Sequence, residues 1–181
     1  MTDKPRCRIV VAQLNFLVGN VEGNLAKIVA SAERARDEYH ADLIVFPELS
    51  LSGYPPEDLL LRRDFHNQIQ KAITKLCETV SGIDIILGYP EMTSDGKLYN
   101  SLLMMLDQQV ITNYRKQLLP NYGVFDEKRY FMSGEDSCVV NYKGLELGLL
   151  ICEDLWFPKP AHDAVKKGAK LLISVNSSPF D

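Results

Sequence analysis

Three side chains of different chemistry each stand just past a strand-like apolar run. Glu48 follows Leu43-Ile44-Val45-Phe46-Pro47, Lys116 follows the run Val110 to Arg115, and Cys152 follows Leu149-Leu150-Ile151. A covalent attack on an amide carbonyl needs a nucleophile, a base that activates it and a group that holds the developing oxyanion. A thiol, a carboxylate and an ammonium are suitable types for those tasks. A free thiol, with a pKa of about 8.5, is only a few per cent thiolate near neutrality, so Cys152 needs a neighbouring base or cation to react. Each residue also has a plainer reading. Glu48 could start a helix or sit on the surface, Lys116 could be a solvated loop lysine, and Cys152 could be a small core residue, since cysteine is among the most buried types.

The elements that must position these groups follow from periodicity. Arg8 to Asn15 is short and rich in β-branched residues and reads as a strand. A helix follows, with Asn24 as its N-cap and Leu25, Ile28, Val29, Ala32 and Ala35 along one stripe. Asp42 to Phe46 is almost continuously apolar, as in a strand covered on both faces. Asp64 is placed to cap a second helix carrying Ile69, Ala72, Ile73 and Leu76, and Ile83 to Tyr89 reads as the next strand. Leu98 to Leu106 and Val110 to Arg115 form a hairpin pattern, as do Val139 to Tyr142 and Leu145 to Ile151 around Lys143-Gly144. Lys159 to Lys167 reads as a helix with Pro160 in its first turn, and Leu171 to Val175 as one more strand. This succession predicts a layered α/β domain with helices on one side of a sheet. Apolar residues on both faces of several strands call for a second cover, so the chain is expected to be a fragment of a longer polypeptide or to be completed by a partner.

With 181 residues, 46% hydrophobic and 24% charged, the chain suits a single domain, taken as residues 1–181, with a sizeable core. A net charge of −4, spread without long runs, shows no electrostatic footprint for nucleic acid or an anionic membrane. The start MTDKPRCRIV lacks a signal-peptide pattern, and no stretch approaches a membrane span. The four cysteines, Cys7, Cys77, Cys138 and Cys152, are scattered without metal spacing, so no metal site or disulfide framework is expected and a reducing cytoplasm fits. His40, His66 and His162 lack an acid-base constellation and are read as surface or packing residues.

The segments PELSLSGYPPEDLL, RKQLLPNYGVFDEKRYF and LLICEDLWFP together resemble the glutamate, lysine and cysteine motifs of the nitrilase superfamily of carbon–nitrogen hydrolases, in that family's order. The Tyr-Pro-Pro-Glu-Asp-Leu-Leu stretch after Glu48, the Leu-Pro-Asn-Tyr stretch after Lys116 and Ile-Cys-Glu-Asp are more specific. They look like the N-terminal glutaminase domain of bacterial glutamine-dependent NAD synthetases, from near residue 8 to residue 181. The resemblance implies an α-β-β-α four-layer sandwich, here incomplete at its C-terminus, and usually an oligomer. It implies that Cys152 attacks the carboxamide of L-glutamine, that Glu48 takes the thiol proton and later activates water, and that Lys116 with the backbone N–H of Glu153 holds the oxyanion. It implies that Glu127 is a second acid beside Lys116 and Glu48. Tyr54, Tyr122 and Phe125 would shape the glutamine pocket, Glu153 would meet the substrate α-amino group, Ser178 would contact the substrate backbone, and Trp156 would close the pocket.

On this reading no cofactor is held here, and ammonia passes to an ATP- and Mg-using synthetase domain that amidates deamido-NAD. The pyrophosphate loop of that domain, Ser-Gly-Gly-x-Asp-Ser, is absent from these 181 residues. Two other readings compete: a stand-alone superfamily amidase acting on another small amide, and a catalytically silent half-domain used for assembly.

Overall fold

The computed structural model describes residues 7–177. Strand β1 (Ile9–Val11), helix α1 (Val21–Asp37), strand β2 (Leu43–Val45), helix α2 (Arg63–Thr79) and strand β3 (Asp84–Met92) make two successive parallel crossovers. Strands β4 (Leu98–Leu106) and β5 (Gln109–Arg115) extend that sheet by hairpins, in the order β1-β2-β3-β4-β5. The antiparallel pairs β3–β4 and β4–β5 return β5 to the direction of β2 and β3. The ends of β2 and β5 and the beginning of β4 therefore share one edge of the sheet. Strands β6 (Cys138–Tyr142), β7 (Leu145–Ile151) and β8 (Leu171–Val175) form a second sheet, with helix α3 (Pro158–Lys166) in the parallel crossover from β7 to β8.

Alternation along the strands distributes the core to both faces. Ile44, Ile85, Leu87 and Leu103 pack with Leu25, Ile28 and Ala32 of α1 and Ile69 and Leu76 of α2. Their neighbours Leu43, Val45, Ile86, Leu102 and Met104 face the other way and pack with Leu147, Leu149 and Ile151 of the second sheet. The outer face of that sheet meets α3. A Cβ on Gly148 would lie 3.2 Å from the Ala164 Cβ and 2.7 Å from the Leu172 side chain, so glycine lets the helix approach the strand. The order of layers is α-β-β-α. The cover that the two-faced strands require comes, among the described residues, from this chain's own second sheet.

Two helix starts differ from the sequence reading. Asn20, not Asn24, caps α1, its side chain accepting from the Gly23 N–H at 3.0 Å. Asn24 is fully buried, and its amide bonds the backbone of Leu17, as donor and acceptor, and donates to the Leu51 carbonyl at 3.1 Å. Tertiary contacts recruit a residue that local preference would place at a cap. Helix α2 begins at Arg63 with no side-chain cap, so Asp64 lies inside the first turn, where a negative charge still suits the helix dipole.

Candidate active site

The three strand-end residues converge at the shared edge of the sheets. After β2 the chain turns sharply at Pro47-Glu48-Leu49, with Leu49 in the left-handed region at φ 51. This turn lies directly on Gly88 of β3, where a Cβ would sit 2.5 Å from the Leu49 nitrogen and 2.7 Å from the Glu48 Cα. A side chain at position 88 would lift the turn away. The Glu48 carboxylate is 2% exposed and is held at both oxygens. Oε1 accepts from Lys116 Nζ and from Asn100 Nδ2, each at 2.7 Å, and Oε2 accepts from the Ser177 N–H at 3.1 Å.

Lys116 directly follows β5. Its backbone is fixed on both sides: its N–H donates to the Asn100 carbonyl at 2.8 Å, and its carbonyl accepts from the Gly134 N–H at 2.7 Å. Its ammonium is buried and donates to Glu48 and, at 2.9 Å, to Glu127. Glu127 opens a short helical turn, Glu127–Arg129, and also accepts from the Tyr54 hydroxyl at 3.1 Å. Two carboxylates thus share one ammonium, and all three residues are buried. Burial works against the Lys116 charge, but Glu48 and Glu127 outweigh it and hold its pKa above the ordinary lysine range. Burial, then the charge on Glu48, pushes Glu127 up to about 7.

Cys152 stands at the end of β7 with φ 44, a conformation that costs a non-glycine residue energy and here turns the chain out of the strand. The thiol is buried, and burial together with the Glu48 charge pushes its pKa up to about 12, against the opposing pull of Lys116 and the Ser177 N–H. The resting sulfur is therefore a neutral thiol beside a carboxylate.

Asp154, two residues on, is wholly buried. It accepts from the Ile151 N–H at 3.1 Å, the Gln117 N–H at 3.1 Å, the Leu118 N–H at 2.9 Å and the Tyr114 hydroxyl at 2.7 Å. One carboxylate ties the cysteine turn to the segment immediately after Lys116.

Tyr54, Phe125 and Tyr122 form a chain of aromatic contacts, with ring centroids 6.3 and 5.7 Å apart. Tyr54 and Phe125, with Glu48, Phe16 and Ser177, line an open cavity of about 880 Å³. Tyr122 and Glu153 line a separate cavity of about 370 Å³, where the Tyr122 hydroxyl donates to the Glu153 carboxylate at 3.0 Å. Ser178 lies outside the described residues. Trp156 is 73% exposed and borders neither cavity, so it does not close the pocket as expected. His66, read as a packing residue, is buried with Nε2 2.7 Å from the Leu60 carbonyl. Among the described residues no group of His, Cys, Asp or Glu side chains is arranged to hold a metal ion.

The sequence matches the family model for carbon-nitrogen hydrolases over residues 8–181. The chain belongs to the carbon-nitrogen hydrolase family. Among curated relatives, the glutamine-dependent NAD(+) synthetase of Xylella fastidiosa (strain Temecula1) is 47% identical over 176 residues, which are 96% of this chain and 32% of that protein. The structure of glutamine-dependent NAD+ synthetase from Acinetobacter baumannii superposes with a TM-score of 0.92 at 42% identity, covering 96% of this chain and 32% of that one. A mutant amidase from Nesterenkonia sp. AN1, carrying the acetamide moiety of fluoroacetamide covalently on its active-site cysteine, matches with a TM-score of 0.86 and 27% identity over 97% of this chain and 66% of its own. The chain thus spans about a third of the length of the synthetases it matches.

Proposed function

We propose that this chain is the glutaminase part of a glutamine-dependent NAD synthetase, with Cys152 as nucleophile, Glu48 as base and Lys116 as the cation of the oxyanion site. The observation that carries the reading is the buried Lys116 ammonium bridging Glu48 and Glu127 at the strand edge where Cys152 emerges in its left-handed turn. The covalent adduct on the cysteine of the related amidase supports the nucleophile, and the identities of 42–47% to the synthetases support glutamine as the substrate.

The neutral thiol gives its proton to Glu48 as sulfur bonds to the carboxamide carbon. Lys116 and the Glu153 backbone N–H hold the oxyanion, a donor of this kind contributing about 3 to 4 kcal/mol. The carbon–nitrogen bond then breaks, Glu48 returns the proton to the leaving nitrogen, and ammonia departs from a thioester. Water, giving its proton to Glu48, attacks that thioester, and glutamate leaves as the proton returns to sulfur. Tyr54, Phe125 and Tyr122 wall the glutamine site, Glu153 binds the α-amino group, and Ser178 contacts the substrate backbone. The ammonia passes to a separate domain that uses ATP and Mg to amidate deamido-NAD, in a cytoplasmic homo-oligomer. This part itself holds no cofactor.

Steady-state release of glutamate and ammonia from L-glutamine tests the reading. Turnover that disappears in Cys152→Ala supports it and rejects a silent assembly role. Faster turnover of simple aliphatic amides than of glutamine would instead favour the stand-alone amidase, the reading to which the likeness to the Nesterenkonia enzyme points.

A further inference from the structure

Asn100 sits in β4, wholly buried, two residues before the buried apolar Leu102. It touches every charged member of the cluster. Its Nδ2 donates to Glu48 at 2.7 Å and at 3.4 Å to Glu127, while its backbone carbonyl receives the Lys116 N–H at 2.8 Å. Its own Oδ1 is buried and has no partner. A buried amide that serves only packing satisfies both of its ends, so an orphaned acceptor requires another reason. Turning the amide over would set Oδ1 against two carboxylates. The orientation is therefore imposed by the anions, at the expense of Oδ1.

The donors are unequally shared. Glu48 receives Lys116, Asn100 at 2.7 Å and the Ser177 N–H, whereas Glu127 receives Lys116, the Tyr54 hydroxyl and only the long contact from Asn100. Cys152, a further titratable group among the described residues, approaches from the end of β7 and feels the charge of both acids. Two carboxylates around one ammonium compete for a single proton, and the acid with stronger donors keeps the negative charge.

We propose that Asn100 is a positioning residue that assigns the negative charge to Glu48 and leaves the shared proton to Glu127, so that Glu48 is empty and ready to receive the proton of Cys152. The proposal rests on the glutaminase reading for the role of Glu48. It adds the device that decides which of two neighbouring acids becomes the base.

The test is Asn100→Ser, which keeps the backbone carbonyl that holds Lys116 and removes the amide. The expected result is that the acid limb of kcat/KM for glutamine moves up by about one pH unit, a loss approaching about tenfold at pH values on that limb and smaller above it, with KM little changed. A profile of unchanged shape, merely scaled down, overturns the proposal. A second measurement needs no variant at position 100 to fold: in the full protein labelled with carbon-13 at the glutamate carboxyls, the signal that titrates near neutrality should vanish in Glu127→Gln. Its disappearance in Glu48→Gln instead also overturns the proposal. If the wild-type protein does not hydrolyse glutamine, the glutaminase reading fails, and the carboxyl titration still decides where the proton resides.

Discussion

At Cys152 the electrostatics that make Glu48 useful also hold the resting thiol neutral. Burial and the Glu48 charge push the thiol up to about 12, and in the proposed mechanism the thiolate forms as Glu48 takes the proton during attack. Static and dynamic roles then separate in Glu48→Gln. Removing the negative charge should let the thiol ionise at lower pH, read as a downward shift in the pH dependence of Cys152 alkylation by iodoacetamide. Glutamine turnover should nevertheless fall by about 10² to 10⁴, the usual contribution of a positioned base. An upward shift of the alkylation curve would refute this electrostatic account. The three strand-end residues were legible in the sequence because reactive types after apolar runs stand out, and their surrounding motifs add specificity. Asn100 and Gly88 were not. A lone amide within LYNSLLMML and a lone glycine within a strand acquire meaning only when the neighbouring turn and its charges are placed beside them.

Elements deliver these groups through a small number of tethers. Asp154 is the clearest, since its four accepted bonds join the end of β7, the segment after Lys116 and Tyr114 of β5. An asparagine there must turn an NH₂ toward donors already pointing inward, so Asp154→Asn should cost about 3 kcal/mol in urea unfolding and lower kcat more than it raises KM. Unaltered stability would mean that the buried carboxylate is not the link between the two sheets at this edge. The bounds of β4, β7 and β8 agree with the runs that mark them in the sequence. The α1 start was not legible, since Asn24 spends its amide on Leu17 and Leu51 rather than on a cap. The helical turn at Glu127 was hidden too, because three residues are too few to carry a period.

For the molecule as a whole, the face-to-face packing of two sheets keeps the reactive edge in register. Leu149 lies at 0% exposure in that inter-sheet core, and at the opposite end the Tyr142 hydroxyl of β6 donates to Asp84 of β3 at 2.8 Å. Leu149→Ala should destabilise the fold by about 2 to 5 kcal/mol, measured as a lower urea midpoint at unchanged slope. A loss below 1 kcal/mol would show that the sheets do not depend on this contact. The α/β class was visible in the alternation of elements, whereas the source of the second cover was not, since periodicity shows that a face is apolar without showing what it meets. All these parts converge on one claim, that the strand edge presents Cys152 to glutamine. The direct measurement is peptide mapping by mass spectrometry after treatment with a glutamine-derived chloroketone. Modification of Cys152 alone among the four cysteines, slowed by excess L-glutamine, is the predicted result. Modification that spares Cys152, or that glutamine does not slow, would contradict it.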